Sequence, residues 1–367
     1  MQSQRIIVKL GTSTLTNGTS HLHRERMLEI VQQCAHLHQQ GHELILVSSG
    51  AQAAGRERLD FPDLSRSVPA KQMLSAIGQS HMMRIYSDLF DIFQLTVGQV
   101  LLTREDLSRR GRYLNARDTL QTMIDYRIIP IINENDTIAT EEIRVGDNDN
   151  LSALVASVMD ADLLLLLTDQ SGLFTADPRK VTDAEKIDLI ENIDTHIFDL
   201  AGGAGSSVGT GGMVTKLQAA QIATRAGVTT VIAQGTEANV IERIVAGETI
   251  GTRFLPTANY LESRKRWLLI DRTEGAIHID KGALKALNAL DGASLLPVGI
   301  TQVDGDFKRS ATIAIYDANG TIVAHGLSAY SADELRQIKR QKSSNISDIL
   351  GYSYGDAAVH RNNMVML

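Results

Sequence analysis

Two groups of carboxylate and carboxamide side chains lie close together near the middle of the chain. The sequence Asn-Glu-Asn-Asp at 133–136 follows an apolar run at 128–132, and Asp-Asn-Asp-Asn at 147–150 precedes a run with helical periodicity. Open α/β sheets bind ligands where strands end and helices begin, so the two groups predict an active centre. Asp and Asn also favour helix caps and turns, which is the alternative for any one of them. The second group lacks the glycine and distal glutamate of a calcium loop.

Three segments that carry glycine or lysine lie at predicted strand-to-helix junctions, at 9–13, 49–51 and 209–216. Backbone N–H groups at a helix start bind anions, and a nearby lysine supplies the charge that a phosphate needs. Neither a P-loop nor a dinucleotide fingerprint is present in the sequence. Phosphoryl transfer mainly needs positioning and positive charge on the transferred group. Lys9 and Lys216, with Mg²⁺ and an aspartate to orient them, would meet that need.

The elements that must carry these residues alternate between strands and helices. Apolar runs predict strands at 5–10, 43–47, 95–102, 128–132, 163–167 and 229–233. Apolar residues at helical spacing predict helices at 24–40, 70–90, 113–126 and 213–226. This alternation predicts an α/β fold, a three-layer αβα sandwich with a mostly parallel central sheet. The small residues Ala53 and Ala54 are interpreted as a surface for close helix packing.

The length of 367 residues predicts two domains. After Pro256 the pattern changes to short strands broken by Gly and Asp, with a turn at 317–320. We therefore expect a first domain at 1–255, a linker at 256–274 and a small β-rich domain at 275–367.

Composition limits the classes of function. A net charge of −7 and a pI near 5.8 argue against indiscriminate binding of nucleic acid. The apolar runs fall short of the ~20 residues of a membrane span, and the N-terminus lacks a signal-type apolar region, so cytoplasm is expected. The one cysteine, Cys34, lies on an apolar helical stripe and is expected to be buried. The histidines between 21 and 42, including His36 and His38, are expected to face solvent.

Seven segments together resemble the amino acid kinase family. They are VKLGTS (8–13), SSGAQAAG (48–55), LNARDTL (114–120), NEND (133–136), GDNDNLSA (146–153), LLLLLTDQSGLFTADPR (163–179) and GTGGMVTKLQAA (209–220). Within the family, the chain is similar to members that phosphorylate the γ-carboxylate of L-glutamate with Mg-ATP, the first step of proline biosynthesis. Residues from 275 onward resemble a PUA domain. Phe174 and Ser48 depart from the family pattern, where tyrosine and threonine are common.

The resemblance implies a role for each matching residue. The catalytic residues would be Lys9 and Lys216 on the ATP phosphates, with Asp149 holding both lysines in place. The ATP-binding residues would be Lys9, Gly11, Thr168, Asp169, Thr210, Gly211, Gly212, Met213, Val214, Thr215 and Lys216. The glutamate-binding residues would be Ser49, Asp136 and Asn148, with Asp136 pairing with the α-ammonium group while Ser49 and Asn148 donate to a carboxylate. No residue is assigned as a direct ligand of Mg²⁺.

The resemblance also implies a homo-oligomer, a tetramer or dimer, with L-proline as feedback inhibitor. A sister kinase acting on acetylglutamate, aspartate, carbamate or uridylate is the nearest alternative. An RNA-associated factor is a second, because PUA domains in other proteins bind RNA. Residues 275–367 carry nine Lys or Arg and nine Asp or Glu, a net charge of zero, which disfavours that alternative.

Overall fold

The structure is a computed structural model that describes residues 3–64, 67–108, 110–139, 148–178, 181–202, 212–257, 273–289 and 293–367. These residues form two compact units. The first takes the described residues up to Ser108 and from Thr119 to 257. The second takes 110–118 together with the described residues from 273 onward. Most of the expected linker, 258–272, lies outside the described residues.

An eight-stranded sheet organises the first unit. Its strands are β1 Arg5–Leu10, β2 Glu43–Ser48, β3 Val97–Leu102, β4 Ile129–Glu134, β5 Leu163–Thr168, β8 Leu189–Ile190, β9 Thr229–Gln234 and β10 Thr252–Phe254. They lie in the order β3-β4-β2-β1-β5-β9-β10-β8, and only the pair β9–β10 is antiparallel. Two short strands, β6 Leu173–Phe174 and β7 Lys186–Ile187, form a separate antiparallel pair. The predicted mostly parallel sheet is confirmed.

Helices cover both faces of this sheet. They are α1 Thr12–Thr16, α2 Arg24–Gln39, α3 Ala51–Arg58, α4 Val68–Asp91, α5 Arg104–Ser108, the part of α6 (Arg110–Asp125) from Thr119 onward, α7 Asn148–Val158, α8 Thr195–Leu200, α9 Met213–Arg225 and α10 Val240–Val245. Successive side chains of a strand point to opposite faces. Ile6, Val8 and Leu10 of β1 therefore pack in one core with α2, α4 and α10. Lys9 points to the other face, where α7 and α9 pack together.

The long helix α4 packs closely on α3 through two glycines. A Cβ on Gly78 would lie 1.7 Å from the carbonyl oxygen of Ala51, and one on Gly55 would lie 2.0 Å from that of Leu74. Ala54 is fully buried in α3. The interpretation of this small-residue segment as a packing surface therefore agrees with the structure. Because α3 begins two residues after Ser49, the packing fixes α4 relative to the end of β2.

The second unit has its own sheet and core. Its strands β11 Gly275–Ile279, β12 Ile300–Asp304, β13 Thr312–Tyr316, β14 Ile322–Leu327 and β15 Met364–Met366 lie in the order β12-β11-β13-β14-β15. This confirms the β-rich module, and the predicted turn is closed by a hydrogen bond from Gly320 N to the carbonyl of Asp317. The sequence analysis did not anticipate three helices, α11 Lys281–Leu287, α12 Ala332–Ile338 and α13 Ile346–Leu350.

The segment 110–118, the first half of α6, is part of the second unit, which the sequence analysis also did not anticipate. Leu114 packs with Leu327 and Val365. Arg117 donates to the side chain of Asn363 at 2.6 Å, and Arg309 pairs with Asp118.

The expectation for Cys34 is confirmed, and the one for the histidines is wrong in part. Cys34 is fully buried, which raises the pKa of its thiol to about 12. His36 is exposed and lies 3.0 Å from a carboxylate oxygen of Glu242. His38 and His42 are buried instead, because their polar atoms have partners in the protein: Arg127 donates to the ring and the carbonyl of His38, and Gln4 N donates to Nδ1 of His42. Among the described residues, no helix is both long enough and apolar enough to span a bilayer.

Candidate functional site

Three buried charges meet where β1 approaches the first turns of α7 and α9. Lys9 Nζ lies 2.5 Å from Asp149 Oδ1, and Lys216 Nζ lies 3.2 Å from Asp149 Oδ2. The exposed fractions are 5% for each lysine and 1% for the aspartate. With both lysines protonated, the cluster has one more positive charge than negative. Buried charge is costly unless it is paired, so the cluster favours an anionic ligand.

The pKa values in this cluster follow from burial and mutual charge. Burial raises the pKa of Asp149, but the charges of Lys9 and Lys216 outweigh that effect and hold the pKa below its usual value. Burial lowers the pKa of Lys216 by more than the attraction of Asp149 raises it. Asp149 is therefore ionised at neutral pH, while Lys216 loses its proton more readily than an ordinary lysine.

Hydroxyl groups fix the orientation of Asp149. Thr215 Oγ1 lies 2.8 Å from Asp149 Oδ2 and 2.8 Å from the carbonyl oxygen of Gly212. Ser152 donates to the backbone carbonyl of Asp149 at 2.6 Å. The carboxylate thus holds both lysines from a position that α7 and α9 determine together.

The residues expected to bind nucleotide line the same edge of the sheet. Gly11 precedes α1 with extended backbone, and a Cβ there would lie 3.7 Å from Lys9 Nζ. Gly212 precedes α9, and no side chain caps the first turn formed by Met213, Val214 and Thr215. Backbone N–H groups at such a helix start are available to an anion. Thr210 and Gly211 lie outside the described residues.

Thr168 ends β5 beside this edge. Its hydroxyl donates to Asp169 Oδ1 at 2.9 Å, and its carbonyl accepts from Gly235 N at 2.7 Å. Asp169 itself is exposed. The two residues expected to contact the nucleotide after β5 are therefore adjacent to the lysine cluster in the sheet, because β5 pairs with β1.

A chain of amide side chains connects the ends of β2 and β4. Glu134 N donates to Asn133 Oδ1 at 2.9 Å, which fixes the orientation of that amide because a backbone N–H can only donate. Asn133 Nδ2 then donates to Gln79 Oε1 at 2.7 Å. Asn148 Nδ2 donates to Asn133 Oδ1 and to Ser49 Oγ, both at 3.0 Å.

The hydrogen bonds of Asn148 describe its side chain within the protein. Both hydrogens of its amide nitrogen are directed to protein acceptors. Its buried Oδ1 has no hydrogen-bond partner among the described residues. Ser49 Oγ accepts from Asn148, which leaves its hydroxyl hydrogen able to donate elsewhere. The expected contacts of both residues with a glutamate carboxylate stay predictions.

Asp136 lies just beyond β4, and its carboxylate is held by α4. Ser75 Oγ donates to Asp136 Oδ2 at 2.6 Å. Burial raises the pKa of Asp136, and the Ser75 hydrogen bond opposes part of that rise. Among the described residues no hydrogen bond to the other oxygen is seen, and its expected pairing with an α-ammonium group stays a prediction. Ser75 and Gln79 are not among the residues that the sequence predicts for this region, whereas Asn133 belongs to the predicted group at 133–136 without a specific role.

The donor set fits a magnesium ion carried by nucleotide phosphates. Both oxygens of Asp149 face lysine ammonium groups. No group of three His, Cys, Asp or Glu side chains in the described ranges is arranged to hold a metal. Mg²⁺ commonly uses substrate phosphates with one or two carboxylates in place of a full protein cage.

Known proteins match this chain in sequence and in fold. Residues 4–234 match the amino acid kinase family, and residues 275–350 match the PUA domain. The chain is 54% identical over 362 residues to a glutamate 5-kinase of Herpetosiphon aurantiacus, covering 98% of each protein. It is 52% identical over 364 residues to a glutamate 5-kinase of Sodalis glossinidius, covering 99% of each.

A solved structure supports the fold. The carbamate kinase from Giardia lamblia bound to AMP-PNP aligns with 70% of this chain and 99% of its own length, with a TM-score of 0.51 and 17% sequence identity.

Proposed function

The chain belongs to the amino acid kinase family, and we propose that it transfers the γ-phosphoryl group of ATP to the γ-carboxylate of L-glutamate. The product is L-glutamyl 5-phosphate. The observation that carries the proposal is the buried cluster of Lys9, Asp149 and Lys216, whose excess positive charge lies at the sheet edge where Ser49, Asp136 and Asn148 gather. The similarity of the whole chain to proteins named glutamate 5-kinase supports the choice of acceptor.

The reaction needs no general base. The γ-carboxylate of glutamate is already ionised at neutral pH, so one of its oxygens attacks the γ-phosphorus of ATP directly and in line. The bond between the γ-phosphorus and the bridging oxygen breaks, and ADP leaves. The residues of the chain therefore act by positioning and charge, and no histidine is required.

Lys9 and Lys216 bind the phosphates from two directions. Their ammonium groups stabilise negative charge on the transferred group and on the leaving oxygen. Asp149 keeps the two cations close to each other without occupying the phosphate positions. Mg²⁺ bound with ATP supplies further positive charge to the phosphate oxygens.

The acceptor is recognised by complementary donors and acceptors. Asp136 and Asn148 Oδ1 both accept hydrogen bonds, and they suit the α-ammonium group of an amino acid. Ser49 donates, and it suits a carboxylate. This arrangement favours a free amino acid over N-acetylglutamate, whose α-nitrogen carries no charge.

We further propose that the enzyme acts in the first step of proline biosynthesis in the cytoplasm, as a homo-tetramer or homo-dimer. L-Proline carries the same α-carboxylate and a charged nitrogen, so it suits the same polar groups and would inhibit by competing at or over the glutamate pocket.

The test is a hydroxamate assay with Mg-ATP and L-glutamate, in which hydroxylamine traps the unstable acyl phosphate. We expect glutamate-dependent hydroxamate that L-proline suppresses. Lys216→Met should lower the rate by roughly 10²- to 10³-fold, as does loss of one preorganised donor in other enzymes. Lys308→Met, which removes an exposed lysine of the second unit, is the control and should retain the wild-type rate.

The acceptor panel includes L-aspartate and N-acetylglutamate. Turnover on either of these without turnover on L-glutamate would overturn the acceptor assignment and retain the phosphoryl transfer.

A further inference from the structure

Helix α4 presents a polar stripe to the segment that follows β4. Gln72, Ser75 and Gln79 are spaced three and four residues apart, which places them on one face of the helix. Ser75 is 3% exposed and Gln79 is 7% exposed. Polar residues at helical spacing ordinarily form a solvated face, so a buried polar stripe needs specific partners.

The partners all lie between residues 133 and 139. Ser75 donates to the carboxylate of Asp136 at 2.6 Å. Gln79 Oε1 accepts from Asn133 Nδ2 at 2.7 Å. Gln72 Nε2 lies 3.2 Å from the carbonyl oxygen of Thr137 and 3.4 Å from that of Ala139. The stripe thus holds both side chains and backbone of the segment that carries Asp136.

Two of these contacts act on the groups that face the acceptor. The Ser75 hydrogen bond engages one oxygen of Asp136 and thereby restricts rotation of the carboxylate. Gln79 holds Asn133, and Asn133 accepts from Asn148, so Gln79 contributes to the direction in which Asn148 Oδ1 points.

The helix itself is held in place. Gly78, between Ser75 and Gln79, allows α4 to contact the backbone of α3, which begins just after Ser49. Ser49 and Asp136 therefore keep a defined separation through the α3–α4 contact.

We propose that Ser75 and Gln79 are positioning residues for the acceptor subsite, with Ser75 holding Asp136 toward the α-ammonium group of the substrate and Gln79 orienting Asn148 through Asn133. This inference deepens the proposed function and rests on it. In this role both residues act through the side chains that they hold.

The test is steady-state kinetics of Ser75→Ala and Ser75→Cys. Alanine leaves the place of the hydroxyl empty, whereas cysteine fills it with a larger sulfur that donates only weakly, so an effect shared by both variants reports the lost hydrogen bond and not the change in packing. We expect the KM for L-glutamate to rise about tenfold in both variants, because a hydrogen bond to a charged group is lost. The KM for ATP should stay within about twofold. Ser80→Ala, an exposed serine of the same helix, is the matched control and should behave as wild type.

Glutarate distinguishes positioning from a general loss of structure. It has both carboxylates of glutamate but lacks the α-ammonium group, so it cannot use Asp136. Its inhibition constant against L-glutamate should therefore change less than about twofold in Ser75→Ala, while the KM for L-glutamate rises. Equal weakening of both ligands would show a merely structural role and overturn the inference.

Gln79→Met gives a second, independent readout. Methionine keeps the side-chain length of glutamine but removes the oxygen that accepts the hydrogen bond from Asn133. We expect a smaller rise in the KM for L-glutamate, about threefold to tenfold, with no change in the KM for ATP. If the wild-type enzyme makes no glutamyl hydroxamate, the proposed function fails. If the wild-type enzyme makes glutamyl hydroxamate but Ser75→Ala and Gln79→Met have the same KM for L-glutamate as Ser80→Ala, this inference alone fails.

Discussion

Two lysine ammonium groups share one aspartate carboxylate at the edge of the sheet. Asp149 accepts from both Lys9 and Lys216, and all three side chains are nearly excluded from solvent. A phosphate placed against the lysines would complete the charge balance. Removing Asp149 would leave two like charges buried side by side, so under the proposed function Asp149 serves phosphoryl transfer by holding the two lysines.

The pH dependence of nucleotide binding should reflect the protonation state of Lys216. Burial lowers the pKa of this lysine from 10.5 despite the opposing effect of Asp149. Above the lowered pKa the ammonium loses its proton and its attraction for phosphate, so affinity for Mg-ATP should fall as pH rises, beginning below pH 10.5. Calorimetric titration without glutamate, between pH 7.5 and 10.5, measures this.

The companion variant Lys216→Arg replaces the ammonium group with a guanidinium that stays protonated throughout that pH range. It should shift the loss of affinity to higher pH. A wild-type affinity that stays flat up to pH 10.5 would argue against placing Lys216 on the phosphates.

At the scale of helices, the contact between α3 and α4 positions the acceptor residues. We expect Gly78→Ala to force the helices apart, because the added Cβ would lie 1.7 Å from the backbone oxygen of Ala51. The cost should be about 1–3 kcal/mol in the free energy of unfolding, typical of overpacking, and should outweigh the gain in helix propensity. Urea unfolding measures this loss of stability, and the KM for L-glutamate should rise in the same variant.

The control is Gly111→Ala in α6, where a Cβ would meet nothing within 4 Å. There the change should be neutral or stabilising by up to about 1 kcal/mol, because only helix propensity acts. A Gly78→Ala protein as stable as this control would mean that the helices can separate freely.

Element boundaries in the first unit were predicted within about two residues where the apolar pattern alone decides them. β1 begins and ends as predicted, at Arg5 and Leu10. β4 runs two residues further than its apolar run because Asn133 and Glu134 pair with Leu101 and Leu102 of β3. That pairing is a tertiary event, so it cannot be seen in the local sequence.

Short helices were missed because packing stabilises them more than their own sequence does. The sequence of one of them contains a recognisable capping motif. Ser331 accepts from the backbone of Glu334, and Glu334 accepts from the backbone of Ser331, a capping box that starts α12. The positioning residues Ser75 and Gln79 were missed for a different reason: their spacing is visible, but their burial depends on the fold.

At the scale of the whole molecule, the division into units departs from the order of the chain. The segment 110–118 packs with the second unit through Leu114 and Arg117, although it lies more than 150 residues before the β-rich module in sequence. Composition changes mark the start of that module but carry no information about a distant helix that completes its packing.

Charge distribution bears on what the second unit binds. The PUA match makes RNA a natural ligand to test, but the whole chain has a net charge of −7 and residues 275–367 have nine basic and nine acidic residues. Two of those basic residues, Arg309 and Arg336, are paired with Asp118 and Asp333. RNA affinity rests largely on cations that displace counterions from phosphates, and a module with as many acidic as basic residues has no excess of positive charge for that role.

We therefore expect the intact protein to bind RNA weakly and without a steep dependence on salt. Fluorescence anisotropy with a labelled single strand and a labelled hairpin, between 50 and 300 mM salt, measures both quantities. Each phosphate contact to single-stranded RNA contributes roughly 0.7 to the logarithmic salt slope. A slope of about 3 would therefore require about four phosphate contacts, which is more than a charge-balanced module readily supplies. Such a slope would contradict the prediction and indicate that the second unit of this kinase also binds nucleic acid.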